Sequence, residues 1–494
     1  MNPQIRRLFF VFSVLFVALV AMSTYWLWRA PELEARQGNP NLVVRQLTIK
    51  RGLVYASDGR TVLARNRKKK VQGNDWYLRT YPSDGLAAQV VGYSTIERAR
   101  TGLEESLNDY LTGSNANLST IVDRTIDKLK GITQQGNDVI TTIDIRAQRV
   151  ARSGLAGECG AAVALEPSTG RVLVMASSPT YDPNLIEKSY RRATNVQASC
   201  EPASPLLNRA TQGPVFIPGS TFKIVTAAAA LDSGRYTPSS RFTDRGYCIE
   251  YGKRVSNYSD QSGPHVFGDV DFSEAVENSI NSVFCELGKK LGPKLILEYA
   301  KRFGFYEDPP LETPSEERTP SGLYSKGKLY DPDDPNAIDP GRLGFGQERM
   351  LVTPLQMAMV AAAVANEGRV MRPYVVSRIV APDGGIITRT TRDEWRRAMK
   401  AETAAVLTDM MVRVVESGTA TSAQISGIEV AGKTGTAETG RENENDTSFI
   451  AFAPAGNPQV AVAVYLQNQD GVGGSTAAPI AKAIMEALLR GVGN

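Results

Sequence analysis

The chain has 494 residues, 42% of them hydrophobic, with 56 Lys and Arg against 52 Asp and Glu and a formal net charge of +4. That length exceeds what one hydrophobic core supports, so two or more domains are expected, and the composition excludes a disordered chain. The small net charge, without zinc-finger spacing, gives no case for a nucleic-acid partner.

Leu8 to Leu27 is a run of 20 residues without a charge. As a helix it spans about 30 Å, the thickness of a hydrocarbon core. Arg6 and Arg7 precede it, and Trp26 and Trp28 mark the far interface. The expected arrangement is a short cytoplasmic tail (1–7), an uncleaved single-pass anchor (8–28) and the remaining chain outside the cell membrane. A cleaved signal peptide would need a shorter apolar run ending in small residues, whereas Ala18 and Ala21 lie in mid-run.

Beyond the anchor, Arg51 to Ala64 reads as a hairpin turning at Asp58-Gly59. A helix is expected over Gly102 to Leu111 and a strand over Asp138 to Asp144. These elements suggest a first module over 29–150 and a second module over 151–494. The second opens with two apolar strands, Gly160–Glu166 and Arg171–Ala176, around a tight turn. It closes with strands at Ile428–Lys433, Thr447–Ala453 and Gln459–Gln467 and a helix over Ala477–Leu489. With helices over 221–232 and 353–367 between them, the fold class is α+β, an antiparallel sheet flanked by helices. Residues 301–342, rich in Pro, Asp, Glu, Gly and Ser, are expected to run as a surface excursion.

Cys159, Cys200, Cys248 and Cys285 lie far apart with no CxxC pair, so no metal site is expected from them. Outside the cytoplasm one or two disulfides can form, in any of three full connectivities. The one histidine, His265, sits in a Gly-Pro turn and reads as solvent-exposed, so a nucleophile here needs another base.

Three strings carry chemistry. Pro218-Gly219-Ser220-Thr221-Phe222-Lys223 leads into a helix, and the i, i+3 spacing lets the Lys223 amine approach the Ser220 hydroxyl. A serine needs a base, and lysine serves once burial or neighbouring positive charge deprotonates it. By itself Ser220 reads equally as a helix cap. Ser325 and Lys328 share the spacing without such a context. Ser279-Ile280-Asn281 places a hydroxyl and an amide in an irregular turn, or else caps a helix over Ser282–Gly288. Lys433-Thr434-Gly435-Thr436 continues a strand and can hold a carboxylate, with Gly435 admitting a substrate close to the backbone. Gly427 to Thr434 formally matches a phosphate-binding loop. Its intervening residues are strand-like, however, and acidic residues rather than a helix follow.

Together, in this order, Ser220-x-x-Lys223, Ser279-x-Asn281 and Lys433-Thr434-Gly435 resemble the class B penicillin-binding proteins, most closely the actinobacterial A type. Arg51-Gly52, Arg79-Thr80-Tyr81-Pro82, Gly102-Leu103-Glu104 and Gly344-Phe345-Gly346-Gln347 extend the resemblance over nearly the whole chain. One departure is Ser448 before Phe449, where many relatives carry Trp or His. The resemblance implies a serine D,D-transpeptidase that needs no cofactor or metal. Ser220 would be nucleophile, Lys223 base, Ser279 proton relay and Asn281 an amide ligand. Lys433 and Thr434 would hold the terminal carboxylate, and the N–H groups of Ser220 and Thr436 would form the oxyanion hole. Implied partners are peptidoglycan stem peptides, β-lactams and membrane proteins of division or elongation. A D,D-carboxypeptidase using water as acceptor and a non-catalytic scaffold are the alternatives. A β-lactamase fits less well, for want of a recognisable deacylation base.

Overall fold

The computed structural model describes residues 3–34, 47–71, 73–96, 99–114, 135–213, 216–260, 263–332, 337–441 and 444–490. Helix α1 (Pro3–Glu34) contains one apolar stretch, Pro3–Arg29, long enough to cross a membrane, and none of its most apolar window is buried. Such a surface is unstable in water without a lipid or protein partner.

The first sheet is built on β1 (Val54–Tyr55), β2 (Val62–Val71), β3 (Asn74–Thr80) and β4 (Asp138–Thr141). Beside them lies the short helix α2 (Gly102–Ser106), and the expected helix over Gly102–Leu111 breaks at Leu107. Two further strands arrive from far along the chain, β9 (Val376–Val380) and β10 (Ile386–Arg389). The order is β10-β9-β4-β1-β2-β3. In it β4 runs parallel to β1, with Val54 opposite Val139, and antiparallel to β9, with Ile379 opposite Val139. A border near 150 does not separate the strands of this sheet, because β9 and β10 come from beyond it. It falls inside α3 (Ile145–Gly154), capped by the Asp144 carboxylate accepting from Arg146 N and Ala147 N.

The second sheet combines β5 (Cys159–Leu165) and β6 (Val172–Ser178) with three late strands, β11 (Ala431–Arg441), β12 (Glu444–Ala453) and β13 (Val460–Gln469). Its order is β11-β12-β13-β5-β6, antiparallel throughout. Every residue of β5 is buried, as are the first eight of β13, which requires cover on both faces. Cover comes from α3 with α8 (Ala477–Leu489) and from α6 (Pro354–Ala365) with α7 (Ala401–Glu416). Helix α6 is apolar all round and buried along nearly its whole length, as a central helix must be.

The expected surface excursion over 301–342 is corrected. Phe303, Phe305, Leu311 and Leu323 are core residues. Its Glu317 ties the two modules together, Oε1 accepting from Gly102 N (2.8 Å), while the Glu317 carbonyl accepts from Thr211 Oγ1 (2.8 Å) within the second module. Polar composition there reflects inter-module hydrogen bonding as well as solvent.

Candidate active site

The turn before α4 (Lys223–Asp232) is a 3-10 helix, Gly219–Phe222. Gly219 has φ +51°, a conformation that costs other residues about 1–2 kcal/mol. Its N–H donates to Gly346 O at 3.2 Å, and a Cβ on Gly346 would stand 2.3 Å from Gly219 O. The two loops are thus interlocked through glycine backbone. Thr221 pins the turn from beneath, donating to Pro218 O (2.7 Å) and sharing a hydrogen bond with the buried Tyr465 hydroxyl (2.7 Å). Ser220 is left half-buried at the surface of the turn, and Lys223 is fully buried behind it.

Ser279 lies between two helices at φ +56°, a strained setting for serine of the kind that collects at functional sites. Asn281 opens α5 (Asn281–Leu291), with Ile280 rather than Ser279 at the cap position. This start is held by a buried polar cluster. Ser282 Oγ bonds Asp244, Ser282 N donates to Asn257 Oδ1 (2.9 Å), and Asn257 Nδ2 donates to Asp244 Oδ2 (2.9 Å). Asn281 Nδ2 donates to Ser256 O at 3.0 Å, fixing the amide so that its oxygen faces Lys223.

Lys433 projects from β11, the edge strand of the second sheet. Gly435 pairs with Ser448 and Thr436 with Thr447. Gly435 has no room for a side chain: a Cβ would lie 2.2 Å from Ser448 Oγ and 2.9 Å from Pro218 O. The Ser220 turn therefore packs directly on the β11 backbone. Thr434 Oγ1 shares a hydrogen bond with Thr419 Oγ1 (2.6 Å), and Thr436 Oγ1 accepts from Gly473 N (3.2 Å).

These pieces converge on two lysines. Lys223 Nζ donates to Ser279 O (2.7 Å) and Asn281 Oδ1 (2.7 Å) and lies within hydrogen-bond distance of Ser279 Oγ (3.3 Å). Lys433 Nζ reaches the same Ser279 Oγ at 2.8 Å, and Thr434 O at 3.0 Å. No carboxylate takes part in these bonds. Burial, and then the neighbouring Lys433, hold the Lys223 amine well below its ordinary value. Burial alone brings Lys433 down to about 7. The arrangement offers a neutral amine near a serine hydroxyl, linked through a second hydroxyl to another titratable amine. Among the described residues no hydrogen bond joins Lys223 Nζ to Ser220 Oγ; such contacts often tighten only when substrate arrives.

The remaining sequence candidates fall elsewhere. Ser325 and Lys328 face each other across a small hairpin, and His265 is exposed. Gly427 sits in a turn and Lys433 continues a strand, not a helix, so the phosphate-loop match has no cradle. The cysteines pair as Cys159–Cys200 and Cys248–Cys285. The second bond ties the hairpin β7 (Tyr247–Glu250)–β8 (Lys253–Ser256) to α5, the helix that starts at Asn281. Sequence reasoning missed Asp244, Asn257, Thr419, Tyr465 and Asp446. The Asp446 carboxyl accepts the backbone N–H groups of Ile217 and Asn468 and is pushed up to about 6 by burial.

Residues 160–486 match the family described as the penicillin binding protein transpeptidase domain, and residues 51–139 match the penicillin binding protein A dimerisation domain. The chain is 36% identical to the peptidoglycan D,D-transpeptidase PbpA of Mycolicibacterium smegmatis over 99% of both chains. It is 35% identical to PbpA of Mycobacterium tuberculosis over 99% of this chain and 100% of that one. Among solved structures, penicillin-binding protein A from M. tuberculosis as its ceftriaxone acyl-enzyme complex is similar with a TM-score of 0.79 and 33% identity. That match covers 90% of this chain and all (100%) of the other. The imipenem acyl-enzyme complex of the same protein matches equally, with a TM-score of 0.79.

Proposed function

Because the chain belongs to the class B penicillin-binding proteins, we propose that it is a peptidoglycan D,D-transpeptidase whose acyl-enzyme forms on Ser220. The observation that carries this reading is the buried, carboxylate-free pair Lys223 and Lys433 meeting at Ser279 Oγ behind the Ser220 turn.

Ser220 Oγ attacks the carbonyl carbon of the penultimate D-Ala of a stem peptide, and its proton passes to the neutral Lys223 amine. The N–H groups of Ser220 and Thr436 stabilise the resulting oxyanion, a contribution of a few kcal/mol in sites of this kind. Collapse breaks the C–N bond. The departing D-Ala amine takes a proton through Ser279, which both lysines contact, and the acyl group stays on Ser220. The donor peptide lies extended along the open edge of β11, with its carboxylate at Lys433 and Thr434 beside Gly435, and with Asn281 holding a peptide amide. An amine of a second stem peptide then attacks the ester and gives a proton to Lys223, which passes it to the departing Ser220 Oγ, so that the cross-link forms and the serine hydroxyl and neutral amine are restored. A β-lactam enters the first half of the cycle and stops at the ester. No step draws on a metal or cofactor.

In this reading α1 is the membrane anchor, with residues 1–7 cytoplasmic, 8–28 spanning, and 29–150 and 151–494 on the far side as a non-catalytic module and the transpeptidase domain. Membrane proteins of division or elongation are the fitting protein partners. The test is to treat the full chain with a labelled β-lactam and map the adduct by peptide mass. A stable adduct on Ser220, absent from Ser220→Ala, is expected; none on folded protein would overturn the assignment. Products from paired stem peptides separate cross-linking from release by water.

A further inference from the structure

Ser448, which stands before Phe449 where many relatives carry Trp or His, lies directly opposite Tyr465 across β12 and β13. Residues opposite each other in an antiparallel pair point to the same face, so these two side chains are neighbours. Tyr465 is fully buried, and its ring packs on the buried Phe216 with centroids 5.4 Å apart. Its hydroxyl shares a hydrogen bond with Thr221 Oγ1 at 2.7 Å, and Ser448 is its other hydrogen-bonding neighbour. Tyr465 therefore touches the chain on both sides of Ser220, at Phe216 and at Thr221.

The direction of these bonds follows from the count of protons, because a hydroxyl has one to give. Thr221 Oγ1 gives its proton to Pro218 O at 2.7 Å, so in the Thr221–Tyr465 bond the tyrosine donates. The Tyr465 oxygen is then left to accept from Ser448. Burial pushes the Tyr465 phenol up from its ordinary value, so it remains a donor at neutral pH. The result is a one-way chain, Ser448 to Tyr465 to Thr221 to Pro218 O, in which each bond polarises the next.

Both ends of this chain meet at one point of the β11 backbone. Gly435 pairs with Ser448, and a Cβ on it would lie 2.2 Å from Ser448 Oγ, 2.9 Å from Pro218 O and 3.0 Å from Thr221 Cγ2. The residue after Gly435 is Thr436, and Pro218 stands two residues before Ser220. The hydroxyls thus join, from beneath, the two segments whose N–H groups form the oxyanion hole in the mechanism above. We propose that Tyr465 is a positioning residue for acylation: its hydroxyl holds the Ser220 turn in register with β11, so that the N–H groups of Ser220 and Thr436 converge on one oxyanion. This inference rests on Ser220 as the nucleophile. The oxyanion exists only once attack has begun, so an error in this register costs rate and leaves the first binding of a β-lactam unchanged.

The test measures, on the full chain, the noncovalent Kd of a labelled β-lactam and its first-order acylation rate constant. Tyr465→Phe keeps the ring and loses only the hydroxyl. Its rate constant should fall about tenfold with Kd within about twofold of native. Thr221→Ser should keep the native rate, and Thr221→Val should lose as much as Tyr465→Phe. The double variant Tyr465→Phe with Thr221→Val should be no slower than the slower single, since both break the same chain. Val462→Ala, buried on the other face of β13, lowers the thermal midpoint through lost packing without touching the hydroxyls. A native rate in Tyr465→Phe, a loss confined to Kd, multiplied losses in the double variant or an equal slowing in Val462→Ala would overturn the positioning role. No adduct on Ser220 in the native chain would instead overturn the transpeptidase reading, and this inference with it.

Discussion

Two regions of this molecule bury positive charge, and they do so with opposite chemistry. In the first module Arg51 and Arg79 are buried around Glu104, whose carboxyl the two guanidiniums hold below its ordinary value against the opposing pull of burial. All three groups stay charged. In the second module Lys223 and Lys433 are buried with only hydroxyl, carbonyl and amide oxygens around them. Desolvation then favours the neutral amines. Arginine with a carboxylate makes a permanent ionic joint, while lysine without one makes a base at neutral pH. The difference in side-chain type decides which buried cation can do proton chemistry.

The sharpest way to break this contrast is at Lys223. In the proposed mechanism Lys223 is the base, so Lys223→Met should slow acylation by a labelled β-lactam by about 10²–10⁴-fold. Lys223→Arg should be as slow, because a guanidinium keeps its proton; near-normal rates in Lys223→Arg would sink the neutral-amine argument. The pH profile of acylation in the native chain should rise through a group titrating well below 10.5, the ordinary lysine value.

On the other side, Glu104→Ala leaves two buried guanidiniums unpaired. It should cost about 3–5 kcal/mol of unfolding free energy, read from urea titration of the full chain. A loss under about 1 kcal/mol would mean the joint carries little of the first module's stability.

Lys433→Met tests the same contrast through stability rather than rate. The folded value of about 7 lies below the ordinary 10.5, so between these pH values the unfolded chain binds the extra proton. The contribution of Lys433 to stability therefore rises with pH across that window and is fully unfavourable below about 7. Lys433→Met should raise the thermal midpoint at pH 7, by on the order of 5 °C, and flatten its increase towards pH 9. The same midpoint and slope as the native chain would contradict a desolvated amine.

The smallest expected effect is at Asp446, which holds the Ile217 N–H three residues before Ser220 and titrates near 6. Asp446→Asn keeps an acceptor oxygen. It should lower the acylation rate only a fewfold, about 1 kcal/mol or less, and remove any inflection near pH 6 from the profile.

Ser220, Lys223, Ser279, Asn281 and Lys433 were legible because each sits in a short string with its own local geometry, and the structure brings all five to one place. What they touch was not. Helical spacing suggested a Lys223–Ser220 contact, yet the Lys223 hydrogen bonds run to Ser279 and Asn281, far along the chain. Nothing local shows that Ser282 will bury against Asp244 and Asn257. The second sheet was readable from runs of Ala and Val at both ends of its module. The first was not, because β9 and β10 join it from the other half of the chain and long-range pairing leaves no local trace. For the same reason sequence could not choose among the disulfide connectivities.

That weaving of β9 beside β4 governs how the protein can be taken apart. A fragment that stops at Asp144 keeps β1 to β4 but leaves the β4 edge, from Asp138 to Thr141, with unpaired backbone groups beside the buried Val139. Such an edge recruits other strands, so the amino-terminal fragment alone is expected to self-associate. Two sequence families thus contribute strands to one hydrogen-bonded sheet. Mechanical load applied through α1 would likewise be shared with residues 376–380, well past the nucleophile, instead of ending at the first module.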